Sequence, residues 1–316
     1  MPAGIGSHPN AADSETNRQS DCHGAKRPVK PQVSLVITDL DNTLWDWVKI
    51  WYASFGAMMD ELVACSGVPR ETLEREIQAV FQRSGTSEYA FLIQELPSLQ
   101  AQHPGEDLTV VYASAVDAFR EARRAALELY PTVHDTLVQL RQMGCPVVAY
   151  TESMWFYTWY RFSKLGLDGL LTTVYSPPDH ATPPDLERRY NDDHYVLQET
   201  TRRHTPLGKL KPNPDILLSI VHESGADPQR TVYVGDNLLK DIVMAKEAGV
   251  LDVHAKYGAA QDTEAYEVLK RVTHWSPQDV EREKTVIAED SVRPTYVLDR
   301  CFGQLLDMFE FAAPGS

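Results

Sequence analysis

Cysteine is scarce in this chain. Only Cys22, Cys65, Cys145 and Cys301 occur in 316 residues, and none falls in a CxxC pair. That argues against a disulfide-stapled small domain and points to free thiols in a reducing compartment, with a bridge left open by the sequence. Long apolar runs are also missing, since no stretch approaches the roughly 18 residues a membrane span needs. The first 32 residues are rich in Ser, Asn, Gly and Pro without the apolar centre of a signal peptide, so a disordered leader is expected there. The cytoplasm is the expected location, with no membrane partner. Basic residues are in deficit, 30 Lys and Arg against 45 Asp and Glu, for a formal charge of −15. Binding nucleic acid or an anionic membrane relies on cations that neutralise phosphates, so no nucleic-acid partner is expected. Small phosphate esters remain within reach if a metal or local cations offset the repulsion.

What is present is an alternation of apolar runs and helical periodicities after residue 32, the pattern of a parallel sheet with crossover helices. Strands are expected at Val33–Thr38, Pro146–Tyr150, Leu171–Tyr175, Thr231–Gly235, Leu251–Ala255 and Thr295–Leu298. Helices are expected at His134–Met143, Asn213–Glu223, Asn237–Ala248 and Cys301–Phe309. From about Trp47 to Leu129 nearly every segment has apolar residues at three-and-four spacing, far more chain than a crossover requires. A small helical domain is therefore expected inside the fold. Two further insertions fall at Ser176–Gly208, expected to be a loop with one helix, and at Gly258–Pro294.

Four segments carry chemistry. In VSLVITDLDNT, Asp39 and Asp41 arrive at the end of an apolar strand, where ligands of open α/β sheets bind, although acids capping the turn would leave the same pattern. In VVAYTES a strand delivers Thr151 before a helix, fit either for a phosphoryl oxygen or for a plain helix cap. In LGKLKPNPD, Lys211 precedes a proline that holds it extended, with Lys209 as a rival and a solvated loop as the bland alternative. In TVYVGDNLLKD a second strand ends in an acid, Asp236, which with Asp241 straddles the start of a helix, placed for function or merely for the helix dipole.

Together and in this order, each at a strand end, these segments resemble the haloacid dehalogenase-like superfamily through DLDNT, Thr151, Lys211 in KPNP, and GDNLLKD. The resemblance runs from about Val33 to Phe309. It implies an α/β fold with a doubly wound, Rossmann-like parallel sheet formed by residues 33–46 and 130–316, and an inserted α-helical cap over 47–129. It further implies a Mg²⁺-dependent phosphomonoesterase acting on a small-molecule phosphate ester through an aspartyl phosphate. Asp39 would then be the nucleophile and Asp41 the acid and base, while Thr151 and Lys211 hold the phosphoryl group. Substrate contacts would come from Leu40, Asp41, Thr151, Glu152 and Lys211. The metal would be held by Asp39, Asp41 (through its backbone carbonyl) and Asp236, with Asp241 behind them. Such chemistry makes sense for phosphate esters, whose charge repels nucleophiles until a metal and a lysine offset it.

Three other readings stay open. Dehalogenation needs no proton for its halide, which the acid at Asp41 argues against. A phosphomutase would keep Asp41. A catalytically silent protein-binding scaffold would have no use for an intact Asp39, Asp41, Lys211 and Asp236. Glu152 stands where many relatives have a neutral Asn, facing the substrate or turned away from it. Trp45 and Trp47 fit either substrate contact or packing. The aromatics of MWFYTWYRF, 154–162, are expected to pack rather than to form a base-stacking platform. Arg188, Arg189, Arg202, Arg203 and His204 are expected on a solvated helical face. His194 and the Cys22–His23 pair lack further zinc ligands at usable spacing.

Overall fold

The computed structural model describes residues 30–183, 194–259, 263–276, 278, 281 and 291–315. Most of the leader, with Cys22 and His23, and the pair Arg188 and Arg189 lie outside the described residues. The leader boundary drawn at 32 falls inside structure, because Gln32–Val33 (β1) pairs in parallel with Glu310–Phe311.

Seven strands form one sheet: Leu35–Thr38 (β2), Val147–Tyr150 (β3), Thr173–Ser176 (β4), Thr201–His204 (β5), Thr231–Gly235 (β6), Leu251–His254 (β7) and Tyr296–Val297 (β8). Their order is β5-β4-β3-β2-β6-β7-β8, and every pairing is parallel. The central strands are buried along their whole length, as expected of unbroken apolar runs that must be covered on both faces. Alternate residues serve opposite layers. Val36, Ala149, Val174 and Val234 join one cluster with the helices Val133–Gln142 and Trp155–Leu165, whereas Leu35, Ile37, Val148 and Tyr233 join another with Pro214–Glu223 and Val243–Glu247. The sheet is doubly wound.

Strand β5 corrects one expectation. Within the described part of Ser176–Gly208, residues 201–204 form an edge strand, so Arg202, Arg203 and His204 lie on a strand and not on a helical face. Charged residues suit an edge because they discourage further strand pairing. The helix expected over Cys301–Phe309 is a 3₁₀ turn, Phe302–Gln304, that runs into the short helix Leu305–Met308. Its tight first turn is set by Gln304, whose side chain accepts from the amides of Arg300 and Cys301. The expected helix Asn237–Ala248 opens as a π-turn over Leu238–Ile242, because the Asn237 carbonyl accepts from both Asp241 and Ile242.

Between β2 and β3 the chain forms α-helices at Trp47–Ser66 (α1), Arg70–Ser84 (α2), Pro97–Gln102 (α3), Leu108–Val111 (α4) and Ala113–Ala126 (α5). Asp46 caps α1 through the Lys49 amide, and Gly67 ends it in the left-handed region. The insertion leaves and returns side by side, with the Tyr130 amide bonded to the Leu44 carbonyl. Its core holds Trp51 stacked on Phe55, with ring centroids 4.6 Å apart, together with Met59, Leu62, Leu73 and Ile77. Leu269 and Val272 from the helix Thr263–Val272 complete the same cluster, so the insertion after β7 builds onto the first one.

Candidate active site

Strands β2 and β6 are neighbours, and the chain winds away from them in opposite directions. Between two such strands the loops part and leave a crevice at their carboxyl ends, where ligands of open α/β sheets bind. Asp39 follows β2 directly, Asp236 follows β6, and Thr151 follows β3. Two strand-end acids are thereby brought to one crevice by topology alone.

Lys211 enters from the loop before the helix Pro214–Glu223. Its Nζ donates to Asp39 Oδ1 at 2.6 Å and to Asp241 Oδ1 at 3.0 Å, with only 3% of its side chain exposed. The ammonium also lies over the rings of Tyr150 and Tyr233, at 5.1 and 5.5 Å from their centroids. The rival Lys209 is exposed. Asp241 is anchored further by the Tyr233 hydroxyl at 2.9 Å and the Asn237 amide at 3.1 Å. It can approach this closely because residue 235 is glycine, where a Cβ would sit 2.4 Å from the Asp241 carboxyl carbon. Burial and opposing charges set the protonation of the cluster. Burial raises the Asp39 pKa to about 7 against the opposing pull of Lys211, and Asp241 adds to the rise. Burial also holds Asp236 well above the usual carboxylate range, with Asp241 and Asp39 pushing the same way. For Lys211, burial alone would lower the pKa, but Asp241 and Asp39 outweigh it and hold the ammonium well above its ordinary value.

Asp39, Asp236 and Asp241 offer carboxylate oxygens that all lie within 4.8 Å of one another. Hard oxygens converging from the two segments that follow β2 and β6, with burial and mutual repulsion opposing the ionisation of Asp39 and Asp236, fit a hard divalent cation better than they fit one another.

A family model described as haloacid dehalogenase-like hydrolase matches residues 33–249. The chain belongs to the haloacid dehalogenase-like hydrolases. Among its relatives are a glyceraldehyde 3-phosphate phosphatase of Methanopyrus kandleri, 28% identical over 73% of this chain and 88% of that protein, and phosphoglycolate phosphatase 1 of Pseudomonas aeruginosa, 23% identical over 83% and 85%. The fold is shared with the crystal structure of a 2-haloacid dehalogenase from Pseudomonas syringae pv. Tomato, at a TM-score of 0.50 and 18% identity, over 88% of this chain and 98% of the other.

The remaining residues that the sequence marks as candidates separate into distinct places. The side chain of Leu40 is fully buried in the core, so only its backbone can face a ligand. Thr151 is buried, and its hydroxyl accepts from the Ser153 amide. It does not cap the next helix, which begins four residues later at Trp155. Glu152 is tied down: Oε1 accepts from the Lys211 amide at 2.7 Å and Oε2 from Lys240 Nζ at 2.6 Å. Burial opposes its ionisation, yet Lys240 and Lys211 bring its pKa below the usual value. Glu152 thus clasps the Lys211 loop to the π-turn after β6, and its carboxylate contacts these partners. The Asp41 carboxylate stands apart from the acid cluster and accepts from Trp45 Nε1 at 2.6 Å and from the Ser153 hydroxyl. Trp45, open in the sequence to either role, is fully buried. The rings of 154–162 pack as expected, with Trp155 and Phe162 in the core and Phe156 and Trp159 edge-on to Tyr195.

Sequence reasoning missed Tyr233, Ser153, Glu88 and Arg161. The signal for Arg161 was available, as a lone guanidinium in a helix otherwise lined with aromatic rings.

Proposed function

We propose that this hydrolase is a phosphomonoesterase that acts on a small-molecule phosphate ester with Mg²⁺ as cofactor. The observation that carries the reading is the Lys211 ammonium seated on Asp39 Oδ1, within a cluster of three strand-end and turn acids. A carboxylate nucleophile beside a fixed cation and a metal-ready acid set is what attack on an anionic phosphorus requires. The names of the relatives, phosphatases for three-carbon and two-carbon phosphates, support the same class.

In this reading Asp39 attacks through Oδ2, since Lys211 engages Oδ1, and forms an aspartyl phosphate. Asp41 gives a proton to the departing alkoxide and then takes one from the water that hydrolyses the intermediate. Lys211 and the Thr151 hydroxyl hold the phosphoryl oxygens, joined by the backbone amides of Leu40 and Glu152. Asp39, the Asp41 carbonyl and Asp236 would hold Mg²⁺, which supplies charge neutralisation at the phosphoryl group, and Asp241 fixes Lys211 beside them. The helical insertion acts as a cap that admits small substrates and excludes water. The free thiols of Cys65, Cys145 and Cys301 accord with the cytoplasm as its location. Among the described residues, no helix is long and apolar enough to cross a membrane.

The test is release of inorganic phosphate from a panel of phosphorylated metabolites, with Mg²⁺ and with EDTA. Mg²⁺-dependent turnover of at least one small ester is expected. Release that never exceeds background, or that Asp39→Asn leaves intact, would overturn the reading.

A further inference from the structure

Arg161 sits in the helix Trp155–Leu165 with 2% of its side chain exposed. A guanidinium so buried must be paired, because an isolated charge in the protein interior costs several kcal/mol. Its partners come from three separate parts of the chain. Nη1 lies 3.3 Å from Asp41 Oδ1 and 3.2 Å from the Ser153 hydroxyl, while Nη2 donates to Glu88 Oε1. The Ser153 hydroxyl donates a hydrogen bond to Asp41 Oδ2, and Trp45 Nε1 donates to Oδ1. Both Asp41 oxygens are thus fixed by groups that converge on Arg161. The Trp45 and Tyr157 rings line the guanidinium at 6.0 and 5.9 Å.

Glu88 belongs to the helical insertion, in the loop after α2. That loop is tightly seated. Trp51 Nε1 donates to the Ser87 carbonyl at 3.1 Å, the Ser87 hydroxyl contacts Thr273 at 2.9 Å and His274 at 3.1 Å, and His180 Nε2 meets the Ser84 carbonyl at 2.9 Å. One guanidinium therefore touches the insertion with one nitrogen and the carboxylate of Asp41 with the other.

We propose that Arg161 is a positioning residue that sets the Asp41 carboxylate for proton transfer, and that Glu88 makes this setting depend on the seating of the helical insertion. The inference rests on the phosphatase reading, with Asp41 as acid. Its logic is geometric. Asp41 stands at the edge of a strand-end loop with two rotatable bonds, and a proton donor acts only within hydrogen-bond reach of the leaving oxygen. Arg161 restricts those rotations from one side and takes its own orientation from Glu88 on the other. With the insertion unseated, Arg161 keeps only the Asp41 side of its contacts. Proton donation is then matched to the moment when the site is covered.

A simple brace and a positioning residue differ in how they treat leaving groups. The nitrophenolate ion leaves with little protonation, whereas an alkoxide needs the proton. The value of kcat/KM reports the steps up to phosphorylation of Asp39, so it isolates departure of the leaving group. The experiment measures kcat/KM on the full-length Mg²⁺-loaded protein for alkyl phosphates (2-phosphoglycolate, glycerol phosphate and ethyl phosphate) and for 4-nitrophenyl phosphate. The variants are Glu88→Ala and Arg161→Lys, with Glu88→Gln as a conservative rescue that keeps an acceptor for Nη2. General acids contribute about 10²–10⁴-fold, and partial misplacement should forfeit about tenfold for alkyl phosphates, with the aryl ester within about threefold. Glu88→Gln should restore most of the alkyl rate. Should Arg161→Lys not fold, the two Glu88 variants decide the matter alone. An equal loss for both substrate types, or no loss for either, would overturn the inference and leave the phosphatase reading standing. A wild-type protein that turns over no alkyl phosphate would overturn that reading, and the inference with it.

Discussion

Replacing Lys211 by Met should destabilise the metal-free protein by an amount that grows with pH. Lys211 is in contact with Asp39 and Asp241, and its side chain and theirs are 3%, 12% and 2% exposed. Removing one partner of such a buried set typically costs about 3–5 kcal/mol, because the remaining charges lose their compensation. Protonation can relieve part of that cost, and here the structure says where. Asp39 already has its pKa near 7 with Lys211 in place, so below pH 7 it is protonated with or without the lysine. The variant then forfeits mainly the contact with Asp241. Above pH 7 the wild type can ionise Asp39 against the ammonium, whereas the variant must keep the proton. Each pH unit then adds up to about 1.4 kcal/mol to the difference, until the variant ionises as well. Between pH 7 and pH 9 the deficit should therefore widen by about 2–3 kcal/mol. Urea denaturation in EDTA at pH 6 and pH 9 measures it directly. A deficit that is equal at both values, or smaller at pH 9, would refute the reasoning that Lys211 is the counter-charge of Asp39.

The wild type in EDTA should itself lose stability as pH rises from about 4 through 7, since a carboxylate whose folded pKa of about 7 exceeds its unfolded value of 3.8 opposes folding once it ionises. Mg²⁺ should remove that slope, and thermal melts across this range with and without the ion check both halves. Phosphatase turnover should stop in EDTA, return with Mg²⁺ and be inhibited by Ca²⁺, whose longer and more numerous oxygen contacts would misplace Asp39; full activity in Ca²⁺ alone would contradict this. Gly235→Ala should cost about 1–3 kcal/mol, because the new methyl carbon meets the buried Asp241 carboxyl group at 2.4 Å, and kcat should fall as Lys211 shifts with Asp241. Unchanged urea denaturation and kcat would show that the approach of Asp241 to Gly235 is not needed.

The sheet was legible because its strands are unbroken apolar runs, and the burial of β2, β3 and β6 on both faces is what such runs require. Strand β5 was not, since Thr201–His204 is an edge strand whose TRRH pattern has no apolar face to betray it. The π-turn after β6 was read as an ordinary helix, because nothing local announces a carbonyl shared by Asp241 and Ile242. Within the site, residues at strand ends could be read singly, and Asp39, Lys211, Asp236 and Asp241 do converge. The supporting contacts could not, because they join positions far apart in the chain. Glu152 with Lys240, and Arg161 with Glu88, are pairs that only the fold brings together. Glu152 shows the limit well. Its identity raised the question of whether it faces the substrate, and only the Lys211 amide on its carboxylate answers where that side chain is held.

The central claim is that Asp39 becomes phosphorylated, and acid quenching of a single turnover tests it most directly. Protein in excess over a phosphate ester labelled at phosphorus would be quenched within the first turnover, digested and mapped. The account predicts a transient, hydroxylamine-sensitive label on the peptide that carries Asp39, absent from Asp39→Asn and prolonged in Asp41→Asn, where the base for the hydrolytic water is lost. Turnover with no protein-bound label at any time, or a label that persists in Asp39→Asn, would contradict it.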